Sequence, residues 1–454
     1  ADHWLADLSA LSGDVSFTLG TTTAIAEAGL TSILRIERID LTTGSGNDTI
    51  IGGSQADMIS TGNGDDTIDA KTRPSASGSP IDIVNGGNGV DTLIVNAGSE
   101  MQSVTLTPGT SPSFTVRSTS NNFWIDAYSI EHILFTGGSG NDTINTGTGG
   151  VVVNGGGGTD YWIADLSALA GNVRFTLGTT TAISEAGLTA IRRIERINLT
   201  TGSGNDRIAG GAEGDTIITG NGDDIINAGT RSPVSGAPID VVNGGNGIDT
   251  LIVDASAETQ SVTLTPGTPP SFTVRSTSNN FWIDAYSIEK VDFTGGSGND
   301  TATGGARSDI LIMGGGNDVV HGGGGADTVD GGAGNDTIRG GKGGDTLIGG
   351  TGVDNFIYDG LADSRVASGD IDRIMDFETG VDLINLSAID ANAFIGDADQ
   401  AFTFVGTAGF GGGVRGELRA VSGLVEADVN GDGVADFRIL IDNGATLTAA
   451  DFIL

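Results

Sequence analysis

Across residues 295–357 the chain sets one small or apolar side chain in every nine residues: Ala302, Leu311, Val320, Val329, Ile338, Leu347 and Phe356. Polar or β-branched residues flank most of them, the alternation of a short strand with a single buried position. Between these strands lie six residues rich in glycine and closed by aspartate, as in GGAGNDTIR and GGKGGDTLI. Each unit therefore predicts a tight turn followed by a three-residue strand, because glycine enters the left-handed backbone region without a Cβ penalty. Two units make one coil of about 18 residues, and successive coils stack in parallel. The expected fold is all-β: a right-handed parallel β-roll or β-helix solenoid with lateral strand insertions and a carboxy-terminal β-rich capping domain.

Seven units follow without a gap, and aspartate holds the sixth place of each: Asp300, Asp309, Asp318, Asp327, Asp336, Asp345 and Asp354. Residues 43–69 add Asp48, Asp57 and Asp66, and residues 201–227 add Asp206, Asp215 and Asp224. Isolated units place Asp91, Asp142, Asp160 and Asp249. A longer period of 158 residues relates Asp48 to Asp206, Asp91 to Asp249 and Asp142 to Asp300. The 28-residue stretch from Val104 recurs from Val262 with one change, Ser111 to Pro269. The domain organisation read from these periods is two near-identical modules, 1–159 and 160–294, a plain nonapeptide run, 295–357, and a distinct segment, 358–454. Asp160 closes the half-unit GGGGTD, so its counterpart Asp2 is expected to sit inside a repeat whose first half is missing.

Charge sharpens this picture. Asp and Glu number 58 against 21 Lys and Arg, a formal charge of −37. Such a chain repels nucleic acid and anionic membranes, and it repels itself unless a cation is bound specifically. There is no cysteine, so disulfides, thiolate metal sites and cysteine catalysis are excluded. No run of about 18 apolar residues is present, so no membrane-spanning helix is expected. Glycine-loop carbonyls and aspartates 18 residues apart, such as Asp300 with Asp318 or Asp309 with Asp327, form an all-oxygen set suited to calcium. Where the frame reads TGTGGVVVN, Val151 stands in place of such an aspartate, and calcium is not expected there.

These nonapeptides resemble the RTX (repeats-in-toxin) family of calcium-binding β-rolls. The resemblance implies that the place-six aspartates and turn carbonyls ligate several calcium ions, and that the chain folds only with calcium. The segment from Phe356 onward, including DIDRIMDFETGVDLINLSAID and GELRAV, resembles the carboxy-terminal domain of serralysin-type secreted proteins. That implies an uncleaved type I secretion signal ending in Ala450-Asp451-Phe452-Ile453-Leu454, a type I secretion apparatus as partner, and an extracellular or cell-surface location. After Asp354 the nonapeptide period is expected to stop.

Other features carry weaker chemistry. DVNGDGVAD, with Asp428, Asn430, Asp432 and Asp436, resembles the start of an EF-hand loop, but Ile439 stands where the bidentate glutamate belongs. A structural turn is the expectation. Phe123-Trp124 and Phe281-Trp282, with Trp4 and Trp162, are expected to seal hydrophobic surfaces rather than to stack on sugars. The three histidines, His3, His132 and His321, cannot form HExxH, and no nucleophile elbow is present. The chain is therefore expected not to be an enzyme. Its expected role is a structural or adhesive calcium-binding component, with cell-surface glycans or self-assembly as possible contacts; the alternative is the export and stability region of a larger protease, lipase or alginate epimerase.

Overall fold

The computed structural model describes all residues except 1, 21–22, 26–27, 72–80, 111, 120–123, 148–151, 179–180, 184–187, 230–238, 278–281, 368 and 393–399. Val151, Phe123 and Phe281 thus lie outside the described residues, as does most of the two segments rich in Ser, Pro and Gly, 70–80 and 228–238, whose composition predicts exposed loops. Two compact units divide the chain, residues 1–220 and residues 221–454. Among the described residues there is no α-helix.

In the second unit the nonapeptides form strands where the alternation predicts them: Thr301–Thr303, Ile310–Ile312, Val319–Gly324, Thr328–Asp330, Thr337–Lys342, Thr346–Ile348 and Asn355–Ile357. The first five each pair in parallel with the strand 18 residues on, Val320 against Ile338 in one sheet and Val329 against Leu347 in the other. Odd and even units therefore alternate between two facing sheets. The place-eight side chains, from Ala302 to Phe356, fill the space between them and are at most 1 % exposed. Each Leu, Ile or Val buried this way contributes about 1.5–3 kcal/mol, so the core is a column one side chain wide per strand.

The 158-residue modules depart from the plain coil in one repeated way. In the first unit Val104–Pro108, Ser113–Ser118 and Trp124–Tyr128 form an antiparallel meander. Its outer strands pair in parallel with coil strands, Trp124–Tyr128 with Asp82–Asn85 and Val104–Pro108 with Thr143–Gly147. The second unit repeats this with Val262–Pro266, Ser271–Ser276 and Trp282–Tyr286 between Asp240–Asn243 and Thr301–Thr303. The expected insertions are thus strands of the sheet itself, because their alternating Val104, Leu106, Val116, Ile125 and Ala127 continue the buried column. Trp162 is fully buried against Phe175, with centroids 5.5 Å apart. Trp124 and Trp282 lie under the guanidinium groups of Arg117 and Arg275, at 3.7 and 3.8 Å.

After Asp354 the nonapeptide period stops, but the parallel ladder continues at wider spacing. Asp372–Ile374 pairs with Thr346–Ile348, and Leu383–Asn385 pairs with Asn355–Ile357. The carboxy-terminal strand Phe452–Ile453 adds to Leu383–Asn385. Phe437–Ile441 joins Asp372–Ile374 in parallel and carries an antiparallel cap with Leu424–Asp428 and Glu417–Val421. The buried Glu426 of this cap accepts from Arg419 Nε at 2.8 Å and Arg438 Nε at 2.7 Å, so its charge is paired.

Candidate calcium-binding rows

A glycine turn must stack on the turn before it. The N–H of Ala333 donates to Gly314 O at 2.8 Å, and the N–H of Thr351 donates to Gly332 O at 2.8 Å. At place one of the glycine-led turns a Cβ would collide with oxygens of its own coil and the next. A Cβ on Gly322 would stand 2.5 Å from Asp327 Oδ2 and 2.5 Å from Gly340 O; one on Gly331 would stand 2.6 Å from Asp336 Oδ2 and 2.8 Å from Gly349 O. A carboxylate oxygen of one coil and a carbonyl oxygen of the next thus flank the same point.

Every place-six aspartate expected from sequence is buried, at most 2 % exposed: Asp48, Asp57, Asp66, Asp91, Asp142, Asp160, Asp206, Asp215, Asp224, Asp249, Asp300, Asp309, Asp318, Asp327, Asp336, Asp345 and Asp354. They align in rows along the roll edges. Within a run, Oδ1 accepts the N–H of the aspartate one coil back: Asp318 from Asp300 at 2.6 Å, Asp336 from Asp318 at 2.8 Å, and Asp354 from Asp336 at 2.9 Å. On the other edge Asp327 accepts from Asp309 and Asp345 from Asp327, both at 2.8 Å. In the first unit Asp66 accepts from Asp48 and Asp91 from Asp66, at 2.7 and 2.9 Å, and Asp160 accepts from Asp142 at 2.8 Å. Asp249 accepts from Asp224 at 2.9 Å in the second unit.

The second oxygen separates these residues into two kinds. Oδ2 of Asp91, Asp160, Asp249, Asp318, Asp327, Asp336, Asp345 and Asp354 is buried without a hydrogen-bond donor. At the start of a run Oδ2 is satisfied: Asp300 by Gly296 N–H at 3.0 Å, Asp309 by Gly305 at 2.6 Å, Asp142 by Gly138 at 3.1 Å. Asp57 and Asp215 take Gly53 and Gly211 N–H, each at 2.7 Å, and the Thr43 and Thr201 hydroxyls donate to Asp48 and Asp206. Asp66, interior to its row, belongs with the first kind: its Oδ2 is buried without a donor, since the Thr61 hydroxyl beside it donates to Gly86 O at 2.9 Å.

Burial pushes the interior carboxyls up, to about 7 for Asp318 and about 8 for Asp327, with neighbouring carboxylates along the row adding to the shift. Asp336, Asp345 and Asp354 reach about 6 for the same first cause, desolvation. Two carboxylates about 5 Å apart repel by about 3 kcal/mol at an effective dielectric constant of about 20. An unpaired charge in such a place costs several kcal/mol more. A row of this kind calls for protons or for a cation, and its donors are all hard oxygens. The fit is to calcium, held by paired aspartates and glycine-turn carbonyls. Among the described residues no three His, Cys, Asp or Glu side chains converge as a metal cluster, so carbonyl oxygens are an essential part of any such shell.

Sequence reading missed ladder members that lack glycine turns. Asp82 accepts from Asp57 N–H at 2.8 Å, Asp372 from Asp345 at 2.9 Å, and Asp382 from Asp354 at 3.0 Å. The signal was an acid followed two places on by a buried apolar residue: Val84, Ile374 and Ile384. Asp372, beside Tyr358, is pushed by burial up to about 9. Glu100, which lies outside the nonapeptides, is buried and accepts the Ser118 hydroxyl at 3.0 Å, so it serves the meander. In the EF-hand-like turn Asp428 accepts Gly431 and Gly433 N–H, at 2.7 and 2.8 Å, and Asp436 accepts Val429 and Asn430 N–H, at 2.9 and 3.1 Å. These carboxylates hold a β-hairpin turn.

Stacked glycine turns with place-six aspartates define a calcium-binding β-roll repeat protein. The family model of the RTX calcium-binding nonapeptide repeat matches residues 41–71, 136–163, 200–230, 294–329, 321–356 and 330–363, so these segments are RTX calcium-binding nonapeptide repeats. Among solved structures it is similar to the AlgE6R3 subunit from the Azotobacter vinelandii mannuronan C5-epimerase, at 25 % identity and a TM-score of 0.18 over 34 % of this chain and 77 % of that one. Among curated proteins none matches.

Proposed function

We propose that this chain is a secreted, calcium-folded structural or adhesive component, exported by a type I apparatus and ordered outside the cell. The observation that carries the reading is the row of buried carboxylate oxygens without donors from Asp318 to Asp354. Without a cation, these aspartates and the charge of −37 oppose collapse. Calcium, when bound, supplies the positive charge that lets neighbouring coils stack. The place-six aspartates hold it and order the turns, the place-eight residues then bury, and metal binding becomes folding free energy.

Two near-identical modules favour an adhesive or matrix role over catalysis, since repetition extends reach and multiplies weak contacts to glycans or to further copies of the chain. Among the described residues no helix is long and apolar enough to cross a membrane. Circular dichroism during a calcium titration of the chelator-treated chain tests the reading. Cooperative gain of β signal at millimolar calcium, the range of extracellular modules, is expected. A β spectrum indifferent to chelator would refute it.

A further inference from the structure

Four times a three-residue corner replaces the six-residue glycine turn: Arg35-Ile36-Glu37, Ser129-Ile130-Glu131, Arg193-Ile194-Glu195 and Ser287-Ile288-Glu289. The first residue of each is left-handed, with φ of 59°, 50°, 52° and 50°. Hydrogen bonds fix how the last three corners map onto a nonapeptide. Gly86, Gly155 and Gly244, at place one of the coil before, donate N–H to Tyr128, Arg192 and Tyr286 O, each at 3.1 Å, as place-one glycines elsewhere donate to place nine. His132, Arg196 and Lys290 donate to the carbonyls of Asp91, Asp160 and Asp249, at 2.9, 3.0 and 3.0 Å, as Val319 at place seven donates to Asp300. Ser129, Arg193 and Ser287 therefore stand at place one and the glutamates at place six, with one buried isoleucine between.

The shortened backbone is matched by a longer side chain. Oε2 of Glu131, Glu195 and Glu289 accepts the N–H of Asp91, Asp160 and Asp249, each at 2.8 Å, the bond that an aspartate Oδ1 accepts in plain coils. The other carboxylate oxygen is not engaged in that bond. Oδ2 of Asp91, Asp160 and Asp249 is fully buried without a donor. A Cβ on Gly86 would overlap both Asp91 Oδ2 and Ser129 O; on Gly155, Asp160 Oδ2 and Arg193 O; on Gly244, Asp249 Oδ2 and Ser287 O. This is the convergence of carboxylate and next-coil carbonyl seen at Asp327 and Gly340. The Glu37 corner differs, because it meets the exposed Asp2.

We propose that three corners form a second class of calcium site, in which Asp91 with Glu131, Asp160 with Glu195, and Asp249 with Glu289 are joined by the carbonyl of the left-handed residue. Glu131, Glu195 and Glu289 lie outside the segments matched by the nonapeptide family, as do Asp91 and Asp249. The inference rests on the calcium reading above. It extends cation binding to coils that carry no second glycine turn.

The test is calcium counting by equilibrium dialysis on the full chain and on the triple variant E131Q/E195Q/E289Q. The variant is expected to bind one ion fewer for each substituted corner while keeping the calcium-induced β signal of its nonapeptide coils. The triple variant E131D/E195D/E289D should lose the same ions, because aspartate is too short for a three-residue corner. An unchanged count in a folded glutamine variant overturns the proposal and leaves the nonapeptide sites standing; no calcium on the parent chain overturns both. Should the variants fail to fold, the parent chain labelled with carboxyl-13C glutamate decides by infrared spectroscopy. Plain-coil pairs contain only aspartate, so a labelled stretch that moves when strontium replaces calcium in the folded chain supports the corners, and one that does not move overturns them.

Discussion

Asp309 and Asp327 stand one coil apart on the same edge, yet their carboxylates meet different surroundings. Asp309 accepts Val291 N–H on Oδ1 and Gly305 N–H on Oδ2, at 2.7 and 2.6 Å. Asp327 accepts Asp309 N–H on Oδ1 and has no donor at Oδ2. The difference lies in the glycine at place two. Gly305 follows a coil without a glycine turn and is not left-handed, so its N–H faces its own aspartate. Gly323 stacks on the Gly305 turn, has φ of 110°, and the N–H of its successor Gly324 donates to Gly305 O at 3.0 Å. Stacking one glycine turn on another withdraws the internal donor, and the oxygen left behind is available to a cation. Calcium dependence therefore belongs to pairs of turns, not to single motifs.

Removing the cation should have the largest effect on this contrast. Chelation is expected to abolish most β structure, and heating curves should show a strong rise in Tm with added calcium, because a ligand bound only to the folded state stabilises it by mass action. If the chelated chain kept its fold, interior and first coils would be equivalent and the comparison would fail.

Substituting the two kinds of aspartate comes next. Asp318→Asn with Asp327→Asn should raise the calcium midpoint by about tenfold or more, since each removes a charged ligand from a calcium pair. Asp300→Asn with Asp309→Asn should leave that midpoint within about threefold and instead lower stability at saturating calcium by about 1–3 kcal/mol per site, the cost of a disturbed buried hydrogen bond. Calcium titration and chemical denaturation of both variants separate these outcomes. Equal midpoints would erase the distinction drawn from Oδ2.

A glycine pair sharpens the stacking argument. Gly334 has φ of 139°, and a Cβ there would overlap Gly316 O of the coil before, whereas Gly369 has φ of 101° with nothing within 4 Å. Gly334→Ala should cost about 3 kcal/mol or more, through backbone strain and overpacking together, and Gly369→Ala about 1 kcal/mol from strain alone. Denaturant midpoints at saturating calcium measure both.

The smallest effect is that of pH. Asp318 and Asp327 are raised to about 7 and 8, so between the ordinary aspartate value and that range the folded, metal-free row holds protons the unfolded chain has released. Their contribution to metal-free stability is present at acid pH and lost as pH rises through about 7–8. The chelator-treated chain should therefore keep more residual β signal at pH 6 than at pH 8, read by circular dichroism, and a flat profile would mean that the row ionises freely.

The plain repeats were legible because period, turn chemistry and buried face all agree: one place-eight residue per unit, glycine where the backbone turns over, aspartate where turns meet. The two modules were equally legible as repeats, but their meander strands read as lateral additions. Strand alternation reports which residues face inward and not which strand lies beside which. Asp372 and Asp382 are not legible from the nonapeptide because no glycine turn precedes them, while the ladder needs only an acid two residues before a buried apolar position.

From its sequence alone this chain was bound to form a parallel roll with an apolar column and aspartate-lined edges, since nine-residue spacing leaves each strand one inward position and each turn one acid. Which aspartates keep an oxygen for a cation was decided only in three dimensions. That choice depends on whether the preceding coil offers a glycine turn to stack on, as for Asp327, or leaves the place-two N–H free to close on its own carboxylate, as for Asp309. The same dependence on a neighbour lets Glu131, Glu195 and Glu289 stand in for aspartate where the turn is three residues shorter.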